Sequence, residues 1–296
     1  MLFQVKIGKI QRNKPRGDCM VEIEQRLSKS LQGFQLSRNE AAEYLMRELG
    51  IQFPQVPPKV ELNLRNRIRW AKEKGIGGVI AGTVTRGAVA AYDRRYGAVF
   101  VPKDDLFAEL HEDGHALVDS INPQIRDLVD ELPVMVTQRI ARQPINLDNV
   151  ERIVTYRCFD EGVAQWGALR TARRLTEHFE PEDVLSMENS MLHGTKDDQQ
   201  TNFKQEQSRA VRQAVSAYKA ALSQTGPKVM IEGMKAESQL SDSQYVAGYH
   251  FVDEAMNILI NSGRQVGEAL TGIIKKPPER IDDLERPQEY LVRVKP

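Results

Sequence analysis

The chain has 296 residues, enough to bury a sizeable core in one large domain or in two lobes sharing a cleft. Lysine plus arginine and aspartate plus glutamate stand at 41 each, so no net field draws the chain to nucleic acid or to an anionic membrane surface. Cys19 and Cys158 are too few for a disulfide framework, no apolar run of about 18 residues occurs, and no charged leader precedes a long apolar stretch at Met1, so the expectation is a soluble, cytoplasmic protein.

In chain order, Ser37-Arg-Asn-Glu40 has the spacing of a capping box and predicts a helix to Leu49, ended by Gly50. Three segments then read as strands of a small sheet: Lys59–Leu64, Gly78–Val84 and Tyr96–Pro102. Between the first two, Arg65, Arg67, Arg69, Lys72 and Lys74 read as a solvated helix face rather than a nucleic-acid patch. The glycines from Gly75 to Gly78 match neither phosphate-binding spacing. From residue 104 onward the apolar period is helical, over 104–121, 123–142, 147–176, 182–192, 200–224, 241–262 and 264–274. Loops are expected near Pro144, Pro181, His193–Gln199 and Gly226–Glu237. The expected fold is α+β and predominantly helical. A mixed N-terminal lobe (1–121) with a small sheet leads into a helical C-terminal lobe (122–296).

The first of the long helices contains His111-Glu112-Asp113-Gly114-His115, an H-E-x-x-H string. Four-residue spacing puts both imidazoles on one helix face, at the edge of the stripe formed by Leu106, Phe107, Leu110, Leu117 and Val118. The alternative is an ordinary helix whose histidines are satisfied by local hydrogen bonds. Asp113 shares the angular sector of Leu110 and Leu117, and the pattern offers no partner for it. A zinc hydrolase needs a third protein ligand and one open position. Glu161 is the best candidate, because it falls inside the apolar stripe of Val150, Ile153, Val154, Cys158, Ala168 and Ala172. A carboxylate buried there needs a cation, which is either a metal or an arginine such as Arg157 or Arg170.

His111-Glu-Asp-Gly-His115 followed by Asp160-Glu161-Gly162-Val163-Ala164 resembles the gluzincin metallopeptidases, thermolysin and the zinc aminopeptidases among them. Their third ligand lies in an N-E-x-x-x or N-E-G-F-A segment on a second helix. Tyr245-Val-Ala-Gly248 is similar to their Y-x-x-G segment. The resemblance implies a zincin-like two-lobed fold and a Zn²⁺ ion held by His111, His115 and Glu161. It also implies Glu112 as general base and acid, Tyr245 as hydrogen-bond donor to the oxyanion, and a peptide or protein substrate. In that family the strand before the metal helix pairs with extended peptide, a role open to Tyr96–Phe100 unless it is an interior strand.

Two features depart from the family. Residues 116 to 160, forty-five in all, separate His115 from Glu161, and the G-x-M-E-N segment that grips a substrate's free amine is missing. The metal chemistry is carried over and the aminopeptidase specificity is not. A catalytically inactive, metal-stabilised binding or regulatory module is the competing expectation. Asp119 and Gln165, each one turn beyond a ligand, are candidates to orient the ligands from behind. Tyr245 has an alternative as a packed helix tyrosine, His250 falls on a different side of the same helix, and His178 and His193 are expected in or near loops.

Overall fold

The computed structural model describes residues 40–61, 90–94, 98–102, 105–175, 181–194 and 203–296. Several sequence expectations lie outside them: the capping residues Ser37–Asn39, the strand at 78–84, the basic stretch from Arg65 to Lys74, the Gly75–Gly78 run and His178. Within them the chain is mostly helix with one three-stranded sheet, as its two apolar periods predict.

Helix α1 (Glu40–Leu49) begins with acidic residues, carries Arg47 in its last turn and ends at Gly50, whose φ of 65° is the left-handed stop that favours glycine. It buries Ala41, Ala42, Leu45 and Leu49. Strand β1 (Lys59–Glu61) runs parallel to β3 (Ala98–Val101), with Lys59 opposite Val99. Strand β2 (Ala91–Asp93) lies antiparallel on the other side of β3, with Tyr92 opposite Val99. The order β1-β3-β2 makes Ala98–Val101 the central strand, buried along its whole length. The expected edge for a bound peptide is therefore not offered by Ala98–Phe100, because both of its sides are already paired. Tyr96 and Gly97 lie outside the described residues. Strand β2 escapes a sequence reading because three residues are too few to show a period.

Nine further helices follow among the described residues: α2 (Leu106–Ile121), α3 (Pro123–Ile140), α4 (Val150–Leu175), α5 (Pro181–His193), α6 (Phe203–Ser223), α7 (Pro227–Asn261), α8 (Val266–Lys275), α9 (Ile281–Glu285) and α10 (Pro287–Val294). Helix α4 is the axle of the molecule. Nineteen of its 26 residues are buried, too many for one stripe, and it packs against α1, α2, α3, α6 and α7. Helix α7 corrects the sequence reading most. Residues 227–237, expected to be loop, form its first three turns, so the helix has 35 residues. Gly226 (φ 70°) sits at its N-cap and Pro227 at its first position, so the Gly-Pro pair starts the helix, while Gly233 is carried inside it. No helix among the described residues is long and apolar enough to cross a membrane.

Two contacts between small residues fix the helix geometry around H-E-x-x-H. A Cβ on Gly114 would stand 2.6 Å from the Ala164 Cα, so α2 crosses α4 with backbones nearly touching. A Cβ on Gly248 would stand 1.8 Å from the Cys158 carbonyl oxygen, and one on Gly162 would run into the Gly248 backbone at 2.2 Å. The glycines of H-E-D-G-H, D-E-G and Y-x-x-G are thus the points where α2, α4 and α7 meet.

Candidate metal centre

Helix α2 is started by Asp105, whose carboxylate accepts from the Ala108 amide at 3.0 Å, and is closed at Asn122 just before Pro123 opens α3. Both histidines of the string are buried on its inner face, at 9% and 5% exposure. The Gly114–Ala164 crossing sets them against α4 at Glu161. His111 Nε2 lies 3.2 Å from His115 Nε2 and 3.2 Å from Glu161 Oε2, and His115 Nε2 lies 3.4 Å from the same oxygen. Tetrahedral coordination at zinc-ligand lengths of about 2.0–2.2 Å sets ligand atoms about 3.3–3.6 Å apart. At 3.2–3.4 Å the three atoms come close to the spacing of one face of such a tetrahedron, and of the three side chains Glu161 and His111 keep the most exposure. These donors suit a borderline ion such as Zn²⁺.

The charges fit the same conclusion. Burial disfavours an imidazolium at His115, yet Asp160 and Glu161 outweigh it and hold the pKa well above the ordinary histidine range. At His111 burial is likewise outweighed, chiefly by the Glu161 carboxylate. Glu161 is held well below the usual carboxylate range despite its burial, by His115 and His111. The cluster therefore favours a positive charge, supplied by imidazolium protons or by a cation. The arginine alternative for Glu161 is met elsewhere: Arg157 forms a two-pronged pair with Glu237, and Arg170 pairs with Glu48 at 2.9 Å.

Behind the histidines stands a residue that sequence reasoning passed over. Asp160 Oδ2 lies 2.9 Å from His115 Nδ1 and accepts from Arg126 Nη1 at 2.7 Å. Its carboxyl is held below its usual range against burial, by His115 and Arg126. An anion 2.9 Å behind the distal ring nitrogen attracts that side of the ring and favours Nε2 on the side of His111 and Glu161. The signal was present in D-E-G, where the family has asparagine. No sequence signal marked Arg126, which comes from α3. The residues expected to orient the ligands do other things. Asp119 accepts from the Tyr92 hydroxyl at 2.9 Å and pairs with Arg94 at 3.1 Å, while the buried Gln165 amide has no hydrogen-bond partner among the described residues.

Neither a known family model, nor a curated protein, nor a solved structure matches this chain.

Glu112 is buried on α2 between the histidines, and its Oε2 accepts the Tyr92 backbone N–H at 2.5 Å. Strand β2 thereby clamps one oxygen of the carboxylate. Tyr245, from α7, is half-buried with its ring centroid 5.9 Å from that of His111. The Gly162–Gly248 contact brings it there. His250 sits apart from this cluster, its ring 6.3 Å from that of Phe203, and His193 ends α5. Asp113, for which the sequence pattern had no partner, is fully buried and reaches Lys59 Nζ at 3.0 Å; the same ammonium meets Glu109 at 3.1 Å. Burial pushes the Asp113 carboxyl up to about 6 even beside Lys59.

Proposed function

We propose that the chain is a zinc-dependent hydrolase, specifically a peptidase acting on a peptide or protein substrate, in a gluzincin-like two-lobed arrangement divided near residue 121. The observation that carries this reading is the 3.2–3.4 Å triangle of His111 Nε2, His115 Nε2 and Glu161 Oε2, backed by Asp160. A zinc ion held there supplies Lewis acidity, polarising a carbonyl and lowering the pKa of water to about 7. Glu112, fixed by the Tyr92 amide through one oxygen, uses its other oxygen to take the proton of the attacking water and then to deliver it to the leaving nitrogen. Tyr245 donates a hydrogen bond from its hydroxyl to the oxyanion that develops on the substrate carbonyl, beside His111. Asp160 and Arg126 hold the imidazole of His115 in place throughout.

Elemental analysis of the purified chain is expected to give one zinc per molecule, falling below a tenth of that in His111→Ala and Glu161→Gln. Glu112→Gln is expected to keep its zinc and to hydrolyse an unfolded protein substrate at least ~100-fold more slowly. Unchanged hydrolysis in Glu112→Gln, or a wild-type chain without stoichiometric zinc, rejects the assignment.

One observation favours a second reading, a metal-stabilised module without turnover: the Tyr92 N–H already occupies a lone pair of the carboxylate that should act as base. In that case the wild-type chain binds zinc and hydrolyses nothing, and Glu112→Gln lowers the melting temperature because it weakens the hold of β2 on α2.

A further inference from the structure

A cavity of about 420 Å³ opens where the end of α2, the second turn of α4, the α8–α9 connection and α10 come together. Its volume falls within the range of small-molecule sites. Five cationic side chains line it, Arg152, Lys275, Lys276, Arg280 and Arg293, against two carboxylates, Glu279 and Asp283. The whole chain is balanced at 41 and 41, so this excess of three is a local feature and not a sample of the bulk charge.

The pairing inside the cavity leaves that excess open. Arg152 meets Glu279 at 2.9 Å, and its guanidinium also donates to the Tyr156 hydroxyl at 3.0 Å. Asp283 is a buried strut, accepting the Glu279 and Arg280 backbone amides at 3.1 and 3.2 Å and pairing with Arg293 at 2.6 Å. Arg280 reaches that same carboxylate only at 3.8 Å, and its side chain is 58% exposed. Lys276 donates to the Val294 and Lys295 carbonyls at 2.9 and 3.0 Å, which fixes the ammonium without neutralising it. Lys275 makes no hydrogen bond or ion pair with the described residues. Three cations thus line one concave space, of which Lys276 is fixed by protein contacts, and Gln124 and Asn122, whose amide also donates to the Ile274 carbonyl at 2.9 Å, add neutral donors at its wall.

We propose that this cavity binds a small soluble organic phosphate carrying two or more negative charges. A single phosphate group would fill only a fraction of 420 Å³, whereas the volume of a phosphorylated sugar or similar compound suits a cavity lined by Lys275, Lys276 and Arg280. The site is separate from the metal triangle. Asn122 lies two turns beyond His115, Tyr156 lies one turn before Asp160, and no residue is shared between them.

The test is calorimetric titration of the whole chain with fructose 1,6-bisphosphate as probe and fructose as uncharged control. At ionic strength of about 20 mM the probe is expected to bind with Kd below about 1 mM, and to weaken at least ~5-fold when salt is raised to about 200 mM. Lys275→Glu/Arg280→Glu is expected to weaken it at least ~10-fold, whereas Lys228→Glu, on the exposed start of α7, leaves it unchanged. Both pocket positions are exposed, and Lys275→Gln/Arg280→Gln, expected to lose at least ~3-fold, serves as the milder pair if the reversed charges disturb folding. Absence of probe binding, equal binding of fructose, or undiminished binding in both double variants overturns the proposal. A phospholipid headgroup presents the same chemistry, so cosedimentation with phosphatidylcholine vesicles containing phosphatidic acid is the second arm. No pelleting is expected, and pelleting that depends on Lys275 and Arg280 without probe binding overturns the soluble ligand.

Discussion

Asp160 bears directly on how well His115 can act as a ligand. An anion behind His115 raises the basicity of the ring and removes its freedom to rotate away from Glu161. Asp160→Asn keeps the size of the side chain and removes its charge, both from His115 and from Arg126. The expected result is zinc affinity lower by about 10–100-fold, read by competition with a chromophoric chelator, with the far-ultraviolet circular dichroism unchanged. Affinity within a factor of two of wild type would remove Asp160 from the site. Lys59 shows the same logic applied to stability. Its side chain is 2% exposed and it pairs with a carboxylate that is 0% exposed, so Lys59→Met strands Asp113 in an apolar setting. A loss of about 3 kcal/mol or more is expected in urea denaturation at pH 7.5, and Lys59→Met/Asp113→Leu should recover much of it. Asp113 looked anomalous in the sequence because its partner comes from a strand 54 positions earlier, and helical period cannot reveal a contact between elements.

Between helices, glycine governs the approach. Gly248 and Gly233 lie on the same helix, α7, yet the two positions predict opposite signs. At Gly248 an added methyl would stand 1.8 Å from a backbone oxygen of α4, and no rotamer relieves a backbone clash. Gly248→Ala is therefore expected to cost at least about 3 kcal/mol and to lower zinc occupancy, because α4 and α7 must separate and Glu161 moves with α4. At Gly233 the nearest atom is the Val136 Cγ2 at 3.9 Å, ordinary contact, so Gly233→Ala gains helix propensity and is expected to stabilise by up to about 1 kcal/mol. Chemical denaturation of both variants, with zinc content measured alongside, checks the pair. The two glycines also mark the limits of reading the sequence. H-E-x-x-H, Glu161 and Tyr245 could be found because helical spacing and motif order survive in one dimension, and the structure brings all three together. The loop expected at Gly226–Glu237 is instead the start of α7, because Gly226 caps the helix and Gly233 packs inside it. Arg126 and Tyr92 carry no local signature, since their roles arise only where α3 and β2 meet α2 and α4.

Over the whole molecule the balance of 41 cationic and 41 acidic side chains leaves little net repulsion near neutral pH, so the acid limb of stability is set by particular buried groups. His250 is the clearest among those remote from the His111–His115–Glu161 triangle. It is half-buried on α7, its Nε2 has no hydrogen-bond partner among the described residues, and burial, Lys204 and His193 push its pKa down to about 4, with only Glu254 opposing. The folded state thus holds this ring neutral while the unfolded chain protonates it near pH 6.5. Between those values the unfolded state binds more protons, so stability rises with pH. The contribution is fully present above about pH 6.5 and is lost as the pH falls toward 4. His250→Leu removes the linkage and fills the same apolar setting beside Phe203. Relative to wild type, the variant is expected to gain about 2 kcal/mol in urea denaturation between pH 7 and pH 5, a difference that cancels every other titrating group common to both chains. A gap between the two proteins that stays constant across that interval would mean that His250 is protonated as readily in the folded chain as in the unfolded one.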